Sequence, residues 1–278
     1  MSTQTSVSLT VLTPAYESGA FLGVALSSVR GTGAQHVVMD GGSSDGTVAQ
    51  LTAAPSVVWR SEPDRGQSHA LNKALAAADG TWIGWLNADE FYLPGVLDWV
   101  QQRLRADDVD VLFGDFAEVD TDGRLLRLVT NHAWSPSILR RVGCYLPSCA
   151  TFMRRDLLER VGGWREELRT IMDWDLFLRL DAAGARIGYE PVVVAGFTRH
   201  PDQVTARMTA RAQAEKAALL AEWRGGGPAW RDALSRAHRI ALKAGNGGYL
   251  RELSARRLRG VPLTGATAAR LNPQVPVR

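Results

Sequence analysis

The chain has 278 residues, of which 45% are hydrophobic and 22% are charged, and its formal net charge is +3. These values are typical of a soluble globular protein, and they exclude collagen-like, low-complexity and disulfide-rich chains. The length predicts one large domain, or one domain with a modest appendage. No apolar run approaches the ~18 residues that span a bilayer, and the N-terminal residues lack the pattern of a secretory signal. We therefore expect a cytoplasmic protein.

The first part of the chain alternates short apolar runs with segments of helical periodicity. This alternation predicts an α/β fold, with a mainly parallel, twisted sheet covered by helices on both faces. We predict strands over Val7–Thr13, His36–Asp40, Val57–Ser61 and Trp82–Asn87, and helices over Phe21–Val29, Thr47–Ala53, Ser68–Ala78 and Leu93–Arg105.

The alternation of strands and helices loosens after about Val109. Val111–Val119 and Leu125–Thr130 flank a Thr-Asp-Gly turn, which is typical of a β-hairpin. We further predict helices over Asp156–Val161 and Trp174–Ala183, a strand over Pro191–Thr198, and a mainly helical chain from Thr205 onward, with breaks at Gly225–Gly227 and Gly245–Gly248.

The two cysteines and the near balance of charges exclude several kinds of site. Cys144 and Cys149 are too few for a disulfide framework and lack the paired clusters of a zinc site, so we expect buried or partly buried thiols. Lys and Arg number 32 and Asp and Glu number 29, which does not by itself indicate nucleic-acid binding.

The C-terminal helical part carries most of the excess positive charge. From Arg231 to Arg259 the only acids are Asp232 and Glu252. Such a segment is a solvated or oligomer-forming face, binds an anionic membrane surface, or, as the least favoured interpretation, binds nucleic acid. Its basic residues are Arg231, Arg236, Arg239, Lys243, Arg251, Arg256, Arg257 and Arg259.

Polar and acidic side chains follow four of the predicted strands. Ligands of open α/β sheets bind at the carboxyl ends of the strands, so Asp40, Asp64, Asp89 and Glu90 are expected in one crevice. Carboxylates that lie close together repel each other, which implies a cation or a hydrogen-bonding ligand. The four loops are Thr13–Glu17, Asp40–Thr47, Glu62–Gly66 and Asn87–Glu90.

The loop after the fourth strand predicts a metal site. Asn87 and Asp89 can present side-chain oxygens to Mg²⁺ or Mn²⁺, whose remaining ligands would be waters and substrate phosphates. A nucleotide diphosphate suits this arrangement. Neither the Walker A pattern nor the dinucleotide fingerprint follows the first strand, and Asp40-Gly41-Gly42 is not such a fingerprint.

Six segments together resemble the inverting glycosyltransferase family 2, whose members have the GT-A fold. The resemblance runs from about Ser6 to Thr205 and does not cover Arg211–Arg278. It implies a glycosyltransferase domain over residues 1–204, with a nucleotide-binding half (about 1–108) and an acceptor-binding half (about 109–204), followed by a basic helical extension over 205–278. The segments are TPAYESGAFLGVALSSV, VVMDGGSSDGT, WRSEPDRGQSHALNKAL, WIGWLNADEFYLPG, GGWREEL…MDWDLFLRL and TRHPDQVT.

The resemblance also implies roles for individual residues. Asp89, at the end of the family's DxD position, would ligate Mn²⁺ or Mg²⁺, with His200 as a further candidate ligand. Asp173 matches the general base, and Trp164 and Trp174 are candidates for stacking on an acceptor sugar. The implied nucleotide-sugar contacts are Thr13, Pro14, Tyr16, Glu17, Asp40, Asp64, Arg65, Lys73, Asn87, Ala88 and Asp89.

The chemistry of inverting transfer agrees with these roles, and alternatives stay open. One base must deprotonate the acceptor hydroxyl, and one Lewis acid must stabilise the departing diphosphate. Asp173 is predicted at a helix N-terminus, where the dipole favours its anion. It would alternatively be only an N-cap, with Asp175 as the base. His200 would alternatively lie outside the site, and both tryptophans would belong to the core.

Five positions depart from the family pattern. Two of them are Glu90, which replaces a second Asp, and His69, which stands where Asp is frequent. Glu17 stands where Asn is usual, and Asn87 replaces the first Asp of DxD, which is a familiar variation. Met172 stands where Glu often precedes the base, so the pKa of Asp173 should be lower than in members that keep the acidic pair.

We accordingly expect a metal-dependent enzyme that transfers a sugar, with inversion, from a nucleotide diphosphate donor, UDP-linked by preference, to a hydroxyl of a glycan or lipid-linked acceptor. The alternatives are a non-catalytic nucleotide-sugar-binding subunit and a sugar nucleotidyltransferase. The second needs a basic, Gly-rich loop after the first strand, and Thr13–Gly19 has no basic residue. We expect no nucleic-acid partner, and membrane-surface or self-association through the C-terminal helices.

Overall fold

The computed structural model describes residues 7–201, 203, 209–225 and 228–276. In this part of the chain nine strands form one sheet. The strands are β1 (Leu9–Ala15), β2 (Gln35–Asp40), β3 (Val57–Ser61), β4 (Trp82–Trp85), β5 (Glu90–Tyr92), β6 (Val111–Val119), β7 (Leu125–Val129), β8 (Thr151–Arg154) and β9 (Ile187–Thr198).

Helices follow most of the strands and continue to the C-terminal part. None of those described has the length and hydropathy of a helix that could cross a membrane. The helices are α1 (Leu22–Val29), α2 (Thr47–Thr52), α3 (Gln67–Ala76), α4 (Val96–Leu104), α5 (Pro136–Arg141), α6 (Arg155–Arg160), α7 (Met172–Ala182), α8 (Thr209–Trp223), α9 (Trp230–Gly245), α10 (Gly248–Ala255) and α11 (Gly265–Leu271).

The sheet order β3-β2-β1-β4-β8-β6-β9-β5, with β7 beside β6, confirms the α/β class. Strands β1 to β4 pair in parallel, as the strand-helix alternation predicts. Beyond β4 the sheet is mixed: β8 is antiparallel to β4 and β6, whereas β9 is parallel to β6. The parallel arrangement is therefore confined to β1–β4 and the β6–β9 pair.

Several element boundaries differ from the sequence prediction. Strands β5 and β8 have three and four residues, too few to show a period, and were not predicted. Helix α7 begins at Met172, two residues before the predicted start, and Ile171 is its N-cap. The predicted hairpin over Val111–Val119 and Leu125–Thr130 is confirmed as β6 and β7.

The C-terminal helices share the core of the sheet. Leu258, Leu271 and Val275 belong to the same buried cluster as Leu9 of β1. The Asn272 amide accepts from Val193 N–H and donates to Val193 C=O, both at 2.7 Å. The expected C-terminal helical extension is present, and it packs onto the sheet.

Candidate active site

The carboxyl ends of β1, β2 and β3 lie side by side. Gly41 N–H donates to Ala15 C=O at 2.9 Å, and Glu62 N–H donates to Asp40 C=O at 3.0 Å. Leu86 N–H donates to Leu12 C=O at 3.0 Å, which brings the end of β4 to the same edge. The four loops that the sequence singles out therefore meet at one edge of the sheet.

An exposed aromatic ring and a carboxylate flank the first of these loops. Tyr16 is 67% exposed. A Cβ at Gly41 would lie 3.1 Å from the Tyr16 ring and 2.9 Å from Asp64 Oδ2, so only glycine lets both side chains approach the backbone here. The ring offers a stacking face, and Asp64 offers an acceptor, which together suit a nucleobase.

The Asp40 carboxylate organises its own loop. Its Oδ2 accepts from Ser61 Oγ at 2.6 Å and from the N–H groups of Gly42 and Ser43 at 3.1 and 3.0 Å, and Oδ1 accepts from Ser43 Oγ at 2.5 Å. Burial alone would raise the pKa of Asp40, but these bonds hold it below its usual value. The carboxylate is an anion whose oxygens are already occupied, so it shapes the loop that a nucleotide would meet.

The other predicted contacts on β1 are also part of the supporting structure. Thr13 Oγ1 lies 2.9 Å from His36 Nε2, and burial lowers the pKa of His36 to about 4, which keeps this imidazole neutral. Glu17 has a positive φ of 47°, and its Oε1 accepts from Ser44 N–H at 3.0 Å. Pro14 is buried. These residues hold the loops together.

Asn87 presents a donor where the sequence suggested a metal-binding oxygen. Its Oδ1 accepts from Trp85 Nε1 at 2.8 Å and from Gln67 Nε2 at 2.7 Å. Because an indole N–H can only donate, this contact makes Oδ1 the acceptor and the NH₂ group the donor side of the Asn87 amide. The expectation that Asn87 binds the metal through its side-chain oxygen is therefore corrected. Ala88, the next residue, is buried.

Asp89 and His200 form the pair with metal-ligating chemistry. Asp89 Oδ2 lies 2.9 Å from His200 Nε2, and Gln203 Nε2 lies 3.4 Å from the same oxygen. The His200 ring stacks on Phe21 with centroids 4.4 Å apart. A carboxylate oxygen and an imidazole nitrogen that lie this close together could both bind one divalent cation.

These side chains fit a divalent cation that takes some of its ligands from the protein and the rest from the substrate and water. Among the residues that the structure describes, no group of three or more His, Cys, Asp or Glu side chains could hold a metal by itself. Mg²⁺ and Mn²⁺ typically take few protein ligands and complete their shell with phosphate oxygens and water. Asp89, with His200 beside it, therefore suits a diphosphate-bound cation.

Glu90 is a buried neutral acid next to this pair. Burial, then the charge of Asp89 and, less strongly, that of Asp173 raise the pKa of Glu90 to about 8. Its Oε2 accepts from Asn87 N–H at 2.8 Å. At neutral pH it supports the loop without adding a second negative charge beside Asp89.

Asp173 and Asp175 have contrasting environments on α7. Asp173 is partly exposed, and its Oδ1 accepts from Trp174 N–H at 2.8 Å. Burial raises the pKa of Asp173 to about 6. Asp175 is fully buried, with Oδ2 2.7 Å from Arg179 and Oδ1 3.0 Å from Arg165. Asp175 is thus engaged in two ion pairs, whereas no described residue donates to the second oxygen of Asp173.

Two expectations about Asp173 are corrected by this geometry. The residue lies inside the first turn of α7, which begins at Met172, so it is not the N-cap. The helix N-terminus was expected to favour its anion, but burial dominates and the pKa is raised.

Arg65 and Lys73, which the sequence predicts as nucleotide-sugar contacts, form ion pairs with other residues. Arg169 instead approaches the Glu62–Gly66 loop. Arg65 Nη2 lies 2.5 Å from Glu166, and Lys73 Nζ lies 3.0 Å from Glu62. A Cβ at Gly66, whose φ is +106°, would overlap the Arg169 guanidinium, so Arg169 lies directly over this loop. Nothing in the local sequence pattern distinguishes Arg169, because the contact spans about a hundred residues of chain.

Both tryptophans that the sequence suggested for the acceptor belong to the core. Trp164 is 1% exposed and packs edge-on against Trp85, with centroids 5.6 Å apart. Trp174 is 4% exposed and donates from Nε1 to Leu139 C=O at 2.9 Å. Neither ring has an open face for a sugar, so the acceptor-stacking role is corrected to a packing role.

A model described as glycosyl transferase family 2 matches residues 10–162, more than half of the chain. The chain belongs to this family. Among curated relatives of this family 2 chain, an uncharacterized glycosyltransferase of Mycobacterium tuberculosis is 30% identical over 167 residues, covering 58% of this chain and 60% of that protein. The succinoglycan biosynthesis protein ExoU of Rhizobium meliloti is 31% identical over 191 residues, covering 58% and 54%. The matches span less than two thirds of either relative.

Solved structures share the fold of this family 2 chain. A mannosyltransferase from Pyrobaculum calidifontis in complex with GDP-Man and Mn²⁺ has a TM-score of 0.59 and 20% identity, covering 98% of this chain and 82% of that one. S. aureus TarS in complex with UDP-GlcNAc has a TM-score of 0.59 and 17% identity, covering 97% and 82%. These likenesses confirm the predicted GT-A fold.

Proposed function

We propose that this family 2 chain is an inverting glycosyltransferase that moves a sugar from a UDP-sugar to a hydroxyl group of an acceptor glycan or lipid-linked saccharide. One observation carries the proposal. Asp173 lies in the first turn of α7 with one carboxylate oxygen that no described residue contacts, and burial raises its pKa to about 6. A base with this pKa is ionised at neutral pH and still accepts a proton readily.

The donor nucleotide would bind along the strand ends. Its base stacks on the exposed Tyr16 ring, and Asp64 accepts the imide N–H of uracil. The Asn87 NH₂ group and the Arg169 guanidinium are the nearby donors for diphosphate oxygens, since Arg65 and Lys73 are engaged with Glu166 and Glu62. Stacking and charge-assisted hydrogen bonds together fix the orientation of the anomeric carbon.

Asp89, with His200 beside it, would hold Mn²⁺ or Mg²⁺ against the diphosphate. When bound, the cation supplies positive charge to the departing diphosphate. Gln203 donates to Thr198 C=O at 2.7 Å, which ties the segment carrying His200 to the end of β9. The role of this chain is to present a carboxylate and an imidazole at a fixed separation.

The transfer step uses Asp173 on the acceptor side. The free Asp173 Oδ2 takes the proton of the acceptor hydroxyl while Trp174 N–H holds Oδ1. The acceptor oxygen forms a bond to the anomeric carbon from the face opposite the diphosphate. The bond between that carbon and the diphosphate oxygen breaks, and its electron pair leaves with the nucleotide diphosphate, so the configuration inverts.

A panel of UDP- and GDP-sugars tests this function. With Mn²⁺ present, the chain should release UDP from one UDP-sugar, and NMR of the product should show the anomer opposite to that of the donor. Retention of configuration would contradict the proposed step. Binding of UDP-sugars without any turnover, across a broad acceptor panel, would indicate a non-catalytic nucleotide-sugar-binding subunit.

A further inference from the structure

Two consecutive C-terminal helices expose large apolar side chains. Side chains of this size are normally buried, and a contiguous exposed set indicates a binding surface. Those on α9 and α10 are between 45% and 73% exposed: Trp230, Leu234, Ile240, Tyr249, Leu250 and Leu253.

The exposed residues of α9 share one face of the helix. A turn of about 100° per residue places Trp230, Leu234, Ala237, Ile240 and Ala241 within an arc of roughly 120°. All five are exposed to solvent. The apolar stripe is as wide as one that normally faces a protein core, but here it faces outward.

The opposite side of α9 is polar and faces the protein. Asp232 is buried and forms ion pairs with Arg141, at 3.2 Å, and with Arg224. Ser235 is buried on the same side and donates to Arg231 C=O at 3.0 Å. Leu242 on the same side packs against the buried core, so the helix docks through one leucine and several polar contacts, while its large exposed apolar residues face solvent.

Helix α10 repeats this inverted arrangement. Arg251 points inward to the fully buried Asp115, with Nη1 2.5 Å from Oδ2. Glu252 accepts from Thr130 N–H at 2.8 Å and pairs with Lys243 at 2.6 Å. Leu250 and Leu253 on the other side are more than half exposed. Both helices thus present apolar residues to solvent.

The exposed charged residues of this C-terminal segment have one sign. The only acids between Pro228 and Val261 are Asp232 and Glu252, and both are engaged in the inward ion pairs. The Arg231 guanidinium lies 5.7 Å from the centre of the Trp230 ring. The exposed basic residues are Arg231, Arg236, Arg239, Arg256, Arg257 and Arg259.

An apolar stripe among exposed arginines fits an anionic lipid surface. Such faces lie in the interfacial plane, with aromatic and aliphatic side chains at the acyl boundary and cations at the headgroups. A second copy docked face to face would bring like charges together, which disfavours self-association. The charge pattern therefore selects anionic lipid as the occupant.

We propose that the outward face of α9 and α10 binds the surface of an anionic membrane. Helix α9 is joined to α5 through the Asp232–Arg141 pair, and α5 accepts the Trp174 indole bond from the helix that carries Asp173. The membrane-binding face thus belongs to the same half of the molecule as the proposed base. The binding itself is independent of sugar transfer.

Vesicle cosedimentation of the full chain tests this proposal. The chain should bind vesicles of equal parts phosphatidylglycerol and phosphatidylcholine, and not vesicles of phosphatidylcholine alone. A Leu234→Glu/Leu250→Glu variant and an Arg256→Glu/Arg257→Glu variant should each bind at least about tenfold more weakly. A Val24→Glu/Val58→Glu variant changes exposed apolar residues elsewhere and should bind like the wild type.

Three results would overturn the proposal. They are no binding of the wild type to anionic vesicles, unchanged binding of the leucine variant, and a wild-type dimer in sedimentation equilibrium that the leucine variant abolishes. Circular dichroism and thermal unfolding of each variant establish that it is folded. A folded leucine variant that loses vesicle binding supports the proposal, because the substitutions lie on the exposed face.

Discussion

Asp173 and Asp175 lie two residues apart, but their environments favour different roles. Asp175 is held by Arg165 and Arg179, so a proton gained there would break two buried ion pairs. Asp173 has a single hydrogen bond from Trp174 and no ion pair among the described residues. The structure therefore favours Asp173 over Asp175 as the proton acceptor, which spacing along the helix alone could not decide.

The raised pKa of Asp173 predicts how activity depends on pH. The base acts when ionised, so kcat/KM should rise with pH up to about 6 and level off above it. With this pKa, kcat/KM at pH 5 should be about tenfold below kcat/KM at pH 7. Donor binding measured by calorimetry at both pH values separates this effect from metal loss. A flat profile between these values would contradict the role of Asp173.

Tyr16 is predicted to bind the nucleobase by stacking. Because one base stacked on an aromatic ring contributes about 1–3 kcal/mol, Tyr16→Ala should weaken UDP binding by roughly 5- to 150-fold. Tyr16→Phe keeps the ring and should bind UDP nearly as well as the wild type. Isothermal calorimetry with UDP measures both. Equal affinities for the alanine variant and the wild type would place the base elsewhere.

Asp89 and His200 are predicted to couple donor binding to a divalent cation. Asp89→Ala should abolish the increase in UDP affinity on addition of Mn²⁺, and His200→Ala should reduce it, because each removes one ligand. Asp98→Ala removes an exposed carboxylate from α4 and serves as the matched control. If the Asp89 variant keeps the full response to Mn²⁺, the metal assignment fails.

In helix α7, we expect Asp175 to matter for the stability of the fold and Asp173 for activity. Asp175→Asn leaves buried arginine charge uncompensated and should lower the free energy of unfolding by about 3 kcal/mol. The ionisation of Asp173 has the opposite effect on stability. The pKa of Asp173 is raised from 3.8 to about 6, so the free energy of unfolding falls as pH rises through that range.

Chemical denaturation at pH 8 compares the two aspartate variants of α7 directly. Asp173→Asn removes a charge that is unfavourable in the fold and should be at least as stable as the wild type, while Asp175→Asn should be clearly less stable. A loss of stability in Asp173→Asn as large as that in Asp175→Asn would indicate that Asp173 is a structural residue.

The elements that could be predicted from sequence are those with long, regular patterns. Strands β2 and β3 and the hairpin of β6 and β7 have the alternation or apolar runs that mark a strand, and they appear within a residue or two of the prediction. Strands β5 and β8 are too short to show a period, and only pairing with β9, and with β4 and β6, defines them.

At the scale of the whole molecule, the location of the site could be predicted, but several partners could not. Parallel strands must end at a common edge, so the loops that carry Asp40, Asp64 and Asp89 meet as expected. Whether a side chain is free depends on residues distant in sequence. Arg65 is paired with Glu166, and Arg169 instead lies over Gly66.

Burial of the tryptophans shows the same limit. Trp164 and Trp174 follow motif residues, which suggested an acceptor platform, but the packing of Trp85 and of α5 around them is a property of the assembled fold. The inverted C-terminal helices show the converse. Their basic charge was evident from the sequence, but the outward direction of their apolar faces follows from the inward ion pairs of Asp232 and Arg251.

Asp173→Asn is the sharpest test of the role of Asp173 as the base in glycosyl transfer. In parallel assays with the UDP-sugar that the wild type uses, transfer should fall at least about 100-fold, because general-base catalysis contributes roughly 10²–10⁴-fold. Calorimetry should show UDP-sugar affinity within a few-fold of the wild type. Retained transfer in a folded Asp173→Asn variant would contradict the assignment of Asp173 as the base.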